Sequence, residues 1–189
     1  MLLLAHTGIT LGAATLLAGA AEIKNKSGNG ILTWFASLSE YVDVRILIIG
    51  SMLPDLIDKP VGVFLFRDTF SNGRIFSHTL LFLVVLAGAG YYLYRRRRKT
   101  WLLVLAFGTF MHLLLDSIWN TPRTLFWPFL GFTFDRINVE DWLSFWFWDL
   151  FVYPDLFIPE VIGLAILLSF VFALFYRKKV GVFFRYGKS

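Results

Sequence analysis

The chain has 189 residues, of which 57% are hydrophobic and 19% aromatic, whereas only 16% are charged. This composition, with a mean hydropathy of +0.66, is typical of a polytopic membrane protein and excludes an ordinary soluble domain. The net charge of +5 does not indicate nucleic-acid binding, because the basic residues lie in short loops between apolar runs. Cysteine is absent, which excludes disulfides and thiolate metal sites.

The apolar runs predict an all-α integral membrane protein, a single domain over residues 1–189 with about four or five transmembrane helices in one bundle. The first run, residues 2–21, lacks the positive n-region of a signal peptide and contains His6, so we interpret it as a retained helix. The clearest further spans are residues 75–94, 101–119 and 157–176.

The second apolar segment allows two interpretations. Residues 44–53 are strongly apolar but too short to span ~30 Å of hydrocarbon alone. Either residues 31–58 form one long broken span, or the segment enters the membrane and stops part-way. The prolines at 54 and 60 predict a break near residue 53 and a stop by residue 59.

Residues 120–155 form an aromatic, proline-punctuated segment. Tryptophan is enriched at membrane–water interfaces, so the pattern predicts a segment lying at that boundary. Its tryptophans are Trp127, Trp142, Trp146 and Trp148.

Lysine and arginine concentrate in residues 22–30, in residues 95–99 and after residue 176. The positive-inside rule places these three regions on the cytoplasmic side of the inner membrane. The N-terminus, the 59–74 loop and the 120–155 segment are then extracytoplasmic.

His112 and Asp116 are four residues apart in the fourth span, so they share one helix face, with Asn120 a further turn along. An imidazole and a carboxylate at this spacing can bind one metal ion. A hydrogen bond between helices explains the pair alone equally well.

The predicted topology brings all three histidines of the chain to the same side of the membrane as three acidic residues. Scattered core histidines would not converge in this way, so the pattern favours a metal site. The six residues are His6, Asp55, Asp58, His78, His112 and Asp116.

The ordered motifs resemble the YdjM-like family of multi-pass inner-membrane proteins, which implies metal-dependent hydrolase chemistry. The resemblance covers about residues 1–130 and rests on His6-Thr7, Leu53-Pro54-Asp55-Leu56-Ile57-Asp58-Lys59-Pro60, Arg74-Ile75-Phe76-Ser77-His78-Thr79, His112-Leu113-Leu114-Leu115-Asp116 and Trp127-Pro128. Relatives often carry histidines where this chain has Lys59 and Gly73, so no ligand is implied at those positions.

The motif order is also similar, more distantly, to zinc-dependent phospholipase C, an all-helical phosphoesterase with three zinc ions. In that enzyme the aspartate of the last motif bridges two metals. Because no histidine follows His112 in this chain, the resemblance implies at most a one- or two-metal site.

In this interpretation His78, His112 and Asp116 hold one divalent ion, and His6 with a bridging Asp116 holds a second. Zinc fits nitrogen and oxygen ligands best, although manganese or iron would also fit. Asp55 is a candidate base or further ligand.

Asp58 is a candidate acceptor that orients a histidine N–H, or simply a turn residue before Pro60. Arg74 would clamp a phosphate oxygen or anchor at the headgroup level. Glu160 is expected to stabilise the N-terminus of its own helix.

The favoured function is a membrane-embedded hydrolase of a phosphoester in an amphipathic, lipid or lipid-linked substrate, with membrane lipids as partners and no nucleic acid. A non-catalytic protein that binds or conducts a metal ion is the alternative. Polar residues that only join helices are a third possibility.

The topology is testable with single cysteines because the wild type has none. In intact cells an impermeant thiol reagent should label Asp68→Cys but not Arg97→Cys. Labelling of residue 97 would contradict the assignment.

Overall fold

The computed structural model describes residues 3–23, 38, 42–136 and 152–188, and the regular structure within them is helical, as predicted. The α-helices are α1 (Leu3–Ile23), α2 (Val44–Lys59), α3 (Leu80–Arg97), α4 (Trp101–Leu115), α5 (Pro122–Leu125), α6 (Pro154–Tyr176) and α7 (Val180–Tyr186). A π-helical segment, Pro60–Leu65, continues α2, and a 3₁₀ turn, Ile118–Asn120, follows α4.

Within the described residues, two helices are long and apolar enough to cross a membrane, over Leu3–Ala20 and Pro154–Tyr176. Helix α4 is apolar but shorter. The count of four or five spans therefore stays a prediction. Residues 137–151, with three of the four tryptophans of the predicted interfacial segment, and most of residues 31–41 lie outside the part of the chain that the structure describes.

Helix α2 runs without interruption through Pro54, so the predicted break near residue 53 is wrong. A proline inside a helix removes the N–H that would bond the carbonyl four residues earlier, here that of Gly50. The Thr109 hydroxyl on α4 donates to this carbonyl at 3.4 Å. A neighbouring helix therefore supplies the donor that lets α2 continue. The α-helical stretch ends at Lys59, but helical structure continues as the π-helical segment to Leu65, so the predicted stop by residue 59 holds for the α-helix alone.

His78 precedes α3, whereas the sequence predicted it four residues inside a span. Helix α3 begins at Leu80 because Thr79 is its N-cap, whose hydroxyl accepts the N–H of Phe82 at 3.0 Å. The sequence signal for the start of the helix was therefore the threonine, and not the beginning of the apolar run at residue 75.

Helix α4 ends at Leu115 with Asp116 as its C-cap. Ser117 has a positive φ of 50°, which turns the chain away. Asn120 is exposed and does not continue the face shared by His112 and Asp116, so that part of the prediction is wrong.

Two pairs of glycines set the distances between helices. A Cβ added at Gly108 of α4 would lie 2.6 Å from the carbonyl carbon of Gly50 on α2, and a Cβ at Gly8 of α1 would lie 2.5 Å from the carbonyl carbon of Gly163 on α6. Small residues at such crossings allow close backbone approach. These crossings place α2 against α4 and α1 against α6 around a core that includes Leu11, Ala14, Leu47, Val104 and Phe170.

Glu160 is buried and accepts the backbone N–H of Leu4 at 3.1 Å. It therefore satisfies an unpaired donor in the first turn of α1, a contact with a different helix from the one that the sequence had suggested. The contact fixes the start of α1, three residues from His6.

Gly108→Ala should destabilise the protein by about 1–3 kcal/mol, because the new methyl group would overpack the α2–α4 crossing. Gly88→Ala is the matched control. It lies inside α3 with nothing within 4 Å of its Cβ position and should gain up to about 1 kcal/mol in helix propensity. Thermal unfolding in detergent would measure the stability of both variants. Equal unfolding midpoints for the two would contradict the close approach of α2 and α4.

Candidate metal centre

The His112 ring of α4 is fully buried and oriented by the backbone of α2. Its Nδ1 lies 2.7 Å from the carbonyl oxygen of Ser51. Because a carbonyl only accepts hydrogen bonds, we assign the proton to Nδ1. The Nε2 atom of His112 then carries a lone pair.

Asp58 orients His78 in the same way. Its Oδ2 atom lies 2.7 Å from His78 Nδ1, and the carboxylate also accepts the backbone N–H groups of Ile75, Ser77 and His78 at 2.8–3.2 Å. A carboxylate with three N–H donors is an acceptor, so His78 donates through Nδ1 and its Nε2 carries a lone pair. The Ser77 hydroxyl donates to the carbonyl of Pro54 at 2.9 Å, which holds this loop on α2.

The lone pairs of these two Nε2 atoms face each other. His78 Nε2 and His112 Nε2 lie 3.2 Å apart, in two rings that are both fully buried. Two acceptors repel each other at this distance, whereas a cation between them would bind both. Two nitrogens that ligate one tetrahedral zinc ion at about 2.0–2.1 Å lie about 3.3 Å apart. The residues therefore fit a metal ion.

Two carboxylate oxygens face the same point. Asp55 Oδ1 lies 3.7 Å from His78 Nε2 and 3.8 Å from His112 Nε2. Asp116 Oδ2 lies 3.8 Å and 3.9 Å from the same two atoms. Asp55, His78 and His112 offer ligand atoms that all lie within 4.8 Å of one another.

A second group that could hold an ion consists of His6, His112 and Asp116. His6 Nε2 lies 3.1 Å from Asp116 Oδ1, and its ring lies over that of His112 with centroids 4.2 Å apart. Helix α1 thus brings His6 to the face of α4 that carries the other two residues.

The structure brings together all six histidines and acids that the sequence selected. Arg74 lies beside them, with Nη2 2.9 Å from Asp116 Oδ2, a partner that neither sequence interpretation foresaw. Sequence reasoning missed Lys59, whose Nζ lies 2.6 Å from Asp55 Oδ2. Its i,i+4 spacing from Asp55 was the available signal.

The ligand set decides which metals fit. Imidazole nitrogens and carboxylate oxygens suit zinc, and also manganese or iron. His78 and His112 each donate the other N–H to an oxygen, which is the support that metal-binding histidines usually have.

A protein-family model described as YdjM inner membrane protein matches residues 1–184. The chain belongs to this family. The match confirms the resemblance drawn from the motifs and supports membrane localisation of this YdjM protein. No curated protein and no solved structure matches the chain, and the similarity to phospholipase C stays a prediction.

Purified wild type should contain about one or two divalent ions per chain. His112→Ala should remove most of the metal, because His112 belongs to both groups. His6→Ala should lower the content only if the second group is occupied, so it distinguishes one ion from two.

Elemental analysis of protein prepared without chelator measures these contents. Asp135→Asn is a suitable control because its exposed carboxylate pairs only loosely with Arg123, at 3.5 Å. Wild type that takes up neither zinc nor manganese would contradict the site.

Proposed function

We propose that this YdjM family member is a membrane-embedded metal-dependent hydrolase that cleaves a phosphoester in a lipid or lipid-linked substrate. The observation that carries the proposal is that four ligand atoms face one buried point. Two are the Nε2 atoms of His78 and His112, which lie 3.2 Å apart and carry lone pairs in the assigned tautomers. The other two are carboxylate oxygens of Asp55 and Asp116. Catalytic zinc sites use three protein ligands and keep a position for water. Asp55, His78 and His112 supply such a set.

Asp55 and Asp116 have different partners, and this separates their roles. Lys59 contacts Oδ2 of Asp55, whereas Oδ1 faces the histidines. Arg74 contacts Oδ2 of Asp116, the oxygen that faces the histidines, and a guanidinium on that oxygen weakens it as a ligand. We therefore assign Asp55 as a metal ligand and Asp116 as the carboxylate that orients the attacking water.

A divalent ion at this site would lower the pKa of a coordinated water from 15.7 to about 7. Arg74 and His6 hold the Asp116 carboxylate in place, so it would orient this water by accepting a hydrogen bond, while the metal would supply the acidity of the water. Asp58 is fully buried with its oxygens occupied by N–H donors, and it acts as the positioning residue for His78.

The surroundings of the site favour an amphipathic substrate. Phe76, two residues before His78, packs edge-to-face against Phe70, Trp127 and Phe134 with ring centroids 5.3–5.5 Å apart. Exposed apolar side chains flank this aromatic cluster, namely Phe64, Leu65, Phe66, Phe129, Leu130 and Phe132. Such a surface suits the membrane interface, and the distribution of Lys and Arg supports an extracytoplasmic orientation.

An ion-conducting function is less well supported. An apolar cavity of about 360 Å³ lies between α1, α2 and α4, further along the same helices that carry the site. Three of its lining residues lie eight positions, or about 12 Å, from a site residue on the same helix: Ala14 on α1, Leu47 on α2 and Val104 on α4. A path for ions would need polar groups there.

Asp116→Asn should keep most of the metal but lower turnover by about 10- to 100-fold, the usual cost of losing a group that orients the contents of a metal site. Asp55→Asn should lower the metal content itself. Both substitutions preserve the shape of the side chain. Turnover would be measured in detergent with zinc or manganese, on phosphomonoesters, phosphodiesters and extracted lipids.

The same background rate for wild type and both variants on every substrate would reject the enzyme. Loss of metal in Asp116→Asn but not in Asp55→Asn would exchange the two roles. Asp135→Asn again serves as the control.

A further inference from the structure

Two cationic side chains border the candidate metal centre, one on each carboxylate that faces the histidines. Lys59 Nζ lies 2.6 Å from Asp55 Oδ2, and Arg74 Nη2 lies 2.9 Å from Asp116 Oδ2. The side chains of Lys59 and Arg74 are 25% and 37% exposed, whereas the carboxylates beneath them are 10% and 4% exposed. The cations are therefore the part of the site that an incoming molecule meets first.

The backbone leaves room for Lys59 at this position. A Cβ added at Gly73 would lie 3.3 Å from Lys59 Cγ, so the glycine allows the aliphatic part of the lysine to lie across the loop. Arg74 follows directly, and its backbone N–H donates to the Asn72 side chain at 2.9 Å. The loop that carries Arg74 therefore also leaves room for Lys59, the last residue of α2.

The charge of the site changes sign when a metal binds. With neutral imidazoles, the carboxylates of Asp55, Asp58 and Asp116 outweigh Lys59 and Arg74 by one negative charge. A divalent ion converts this to one net positive charge. Because the site is buried, this difference of two charges changes the attraction for an anion more strongly than it would in water.

From this arrangement we infer that Lys59 and Arg74 form an anion-binding rim that receives the phosphate group of the substrate only after the metal has bound. The inference rests on the proposed function and deepens it, since it restricts the substrate to esters with an ionised phosphate oxygen. A guanidinium binds phosphate oxygens through its planar fork, and an ammonium binds them as a compact charge. In the absence of substrate the two cations neutralise the carboxylates.

Calorimetric titration of the purified full chain with inorganic phosphate tests the rim without any turnover. Metal-loaded wild type should bind phosphate, and metal-free protein should bind it at least 10-fold more weakly. Lys59→Met and Arg74→Met should each weaken binding by roughly 10- to 100-fold, as expected for the loss of a charge-assisted hydrogen bond.

Matched variants separate recognition from folding. Lys59→Arg keeps the positive charge and should retain most of the affinity. Arg123→Met removes an exposed cation whose only nearby carboxylate in the described residues is that of Asp135, at 3.5 Å, and should leave binding unchanged. If Lys59→Met does not fold, Arg74→Met and Lys59→Arg still decide the question.

Short-chain lipids identify the source of the phosphate. Dihexanoyl phosphatidic acid should compete with inorganic phosphate, whereas neutral dihexanoylglycerol should not. Tighter binding of the phosphatidic acid would indicate a lipid headgroup, and equal affinity would indicate a phosphate group recognised regardless of its carrier.

Two results would overturn the proposed rim. One is a phosphate affinity that is the same with and without metal, and the other is an affinity that neither methionine substitution lowers. Elemental analysis of the same samples separates this outcome from failure of the proposed function. Protein that holds metal but ignores phosphate rejects the rim alone. Protein that takes up no metal rejects both.

Discussion

The arrangement of the site depends on the Asp58 carboxylate. It lies at the end of α2, is fully buried and accepts one imidazole N–H and three backbone N–H groups from residues 75–78. A buried carboxylate without such donors would be costly, so the loop and the helix require each other. Through this contact the loop that carries Arg74 and His78 lies against α2, which carries Asp55.

The second constraint is the proline in α2. Pro54 cannot donate to the carbonyl of Gly50, and α4 compensates with the Thr109 hydroxyl. One turn further along α4, the His112 ring contacts the carbonyl of Ser51. The glycines at the crossing allow α4 to come close enough for both contacts. The crossing of α2 and α4 therefore both supports α2 at the proline and fixes the tautomer of a candidate metal ligand.

The sequence was sufficient to select the chemistry-bearing residues but not their contacts. His112 and Asp116 share a face because the helical period dictates it. The topology predicted from the positive-inside rule put Asp55 and Asp58 on the same side of the membrane as the histidines. The position of His78 before a helix depended on a capping threonine that the apolar pattern obscured. The pairing of Arg74 with Asp116 and the carbonyl of Ser51 depend on tertiary packing, which no local pattern encodes. The i,i+4 spacing of Asp55 and Lys59 is visible in the sequence, and opposite charges at this spacing in an apolar chain indicate an ion pair.

The candidate ligands come from segments that are far apart in the chain, from Asp55 in α2 to His112 in α4. An unfolded chain cannot assemble them, so a metal ion would bind the folded state alone. Binding of this kind stabilises a protein by about 2.7 kcal/mol when the ion is present at 100 times its dissociation constant. The repulsion between two facing imidazoles would also disappear. Metal supply would then govern how long each molecule survives cellular proteolysis, and the abundance of the protein would follow the metal status of the cell.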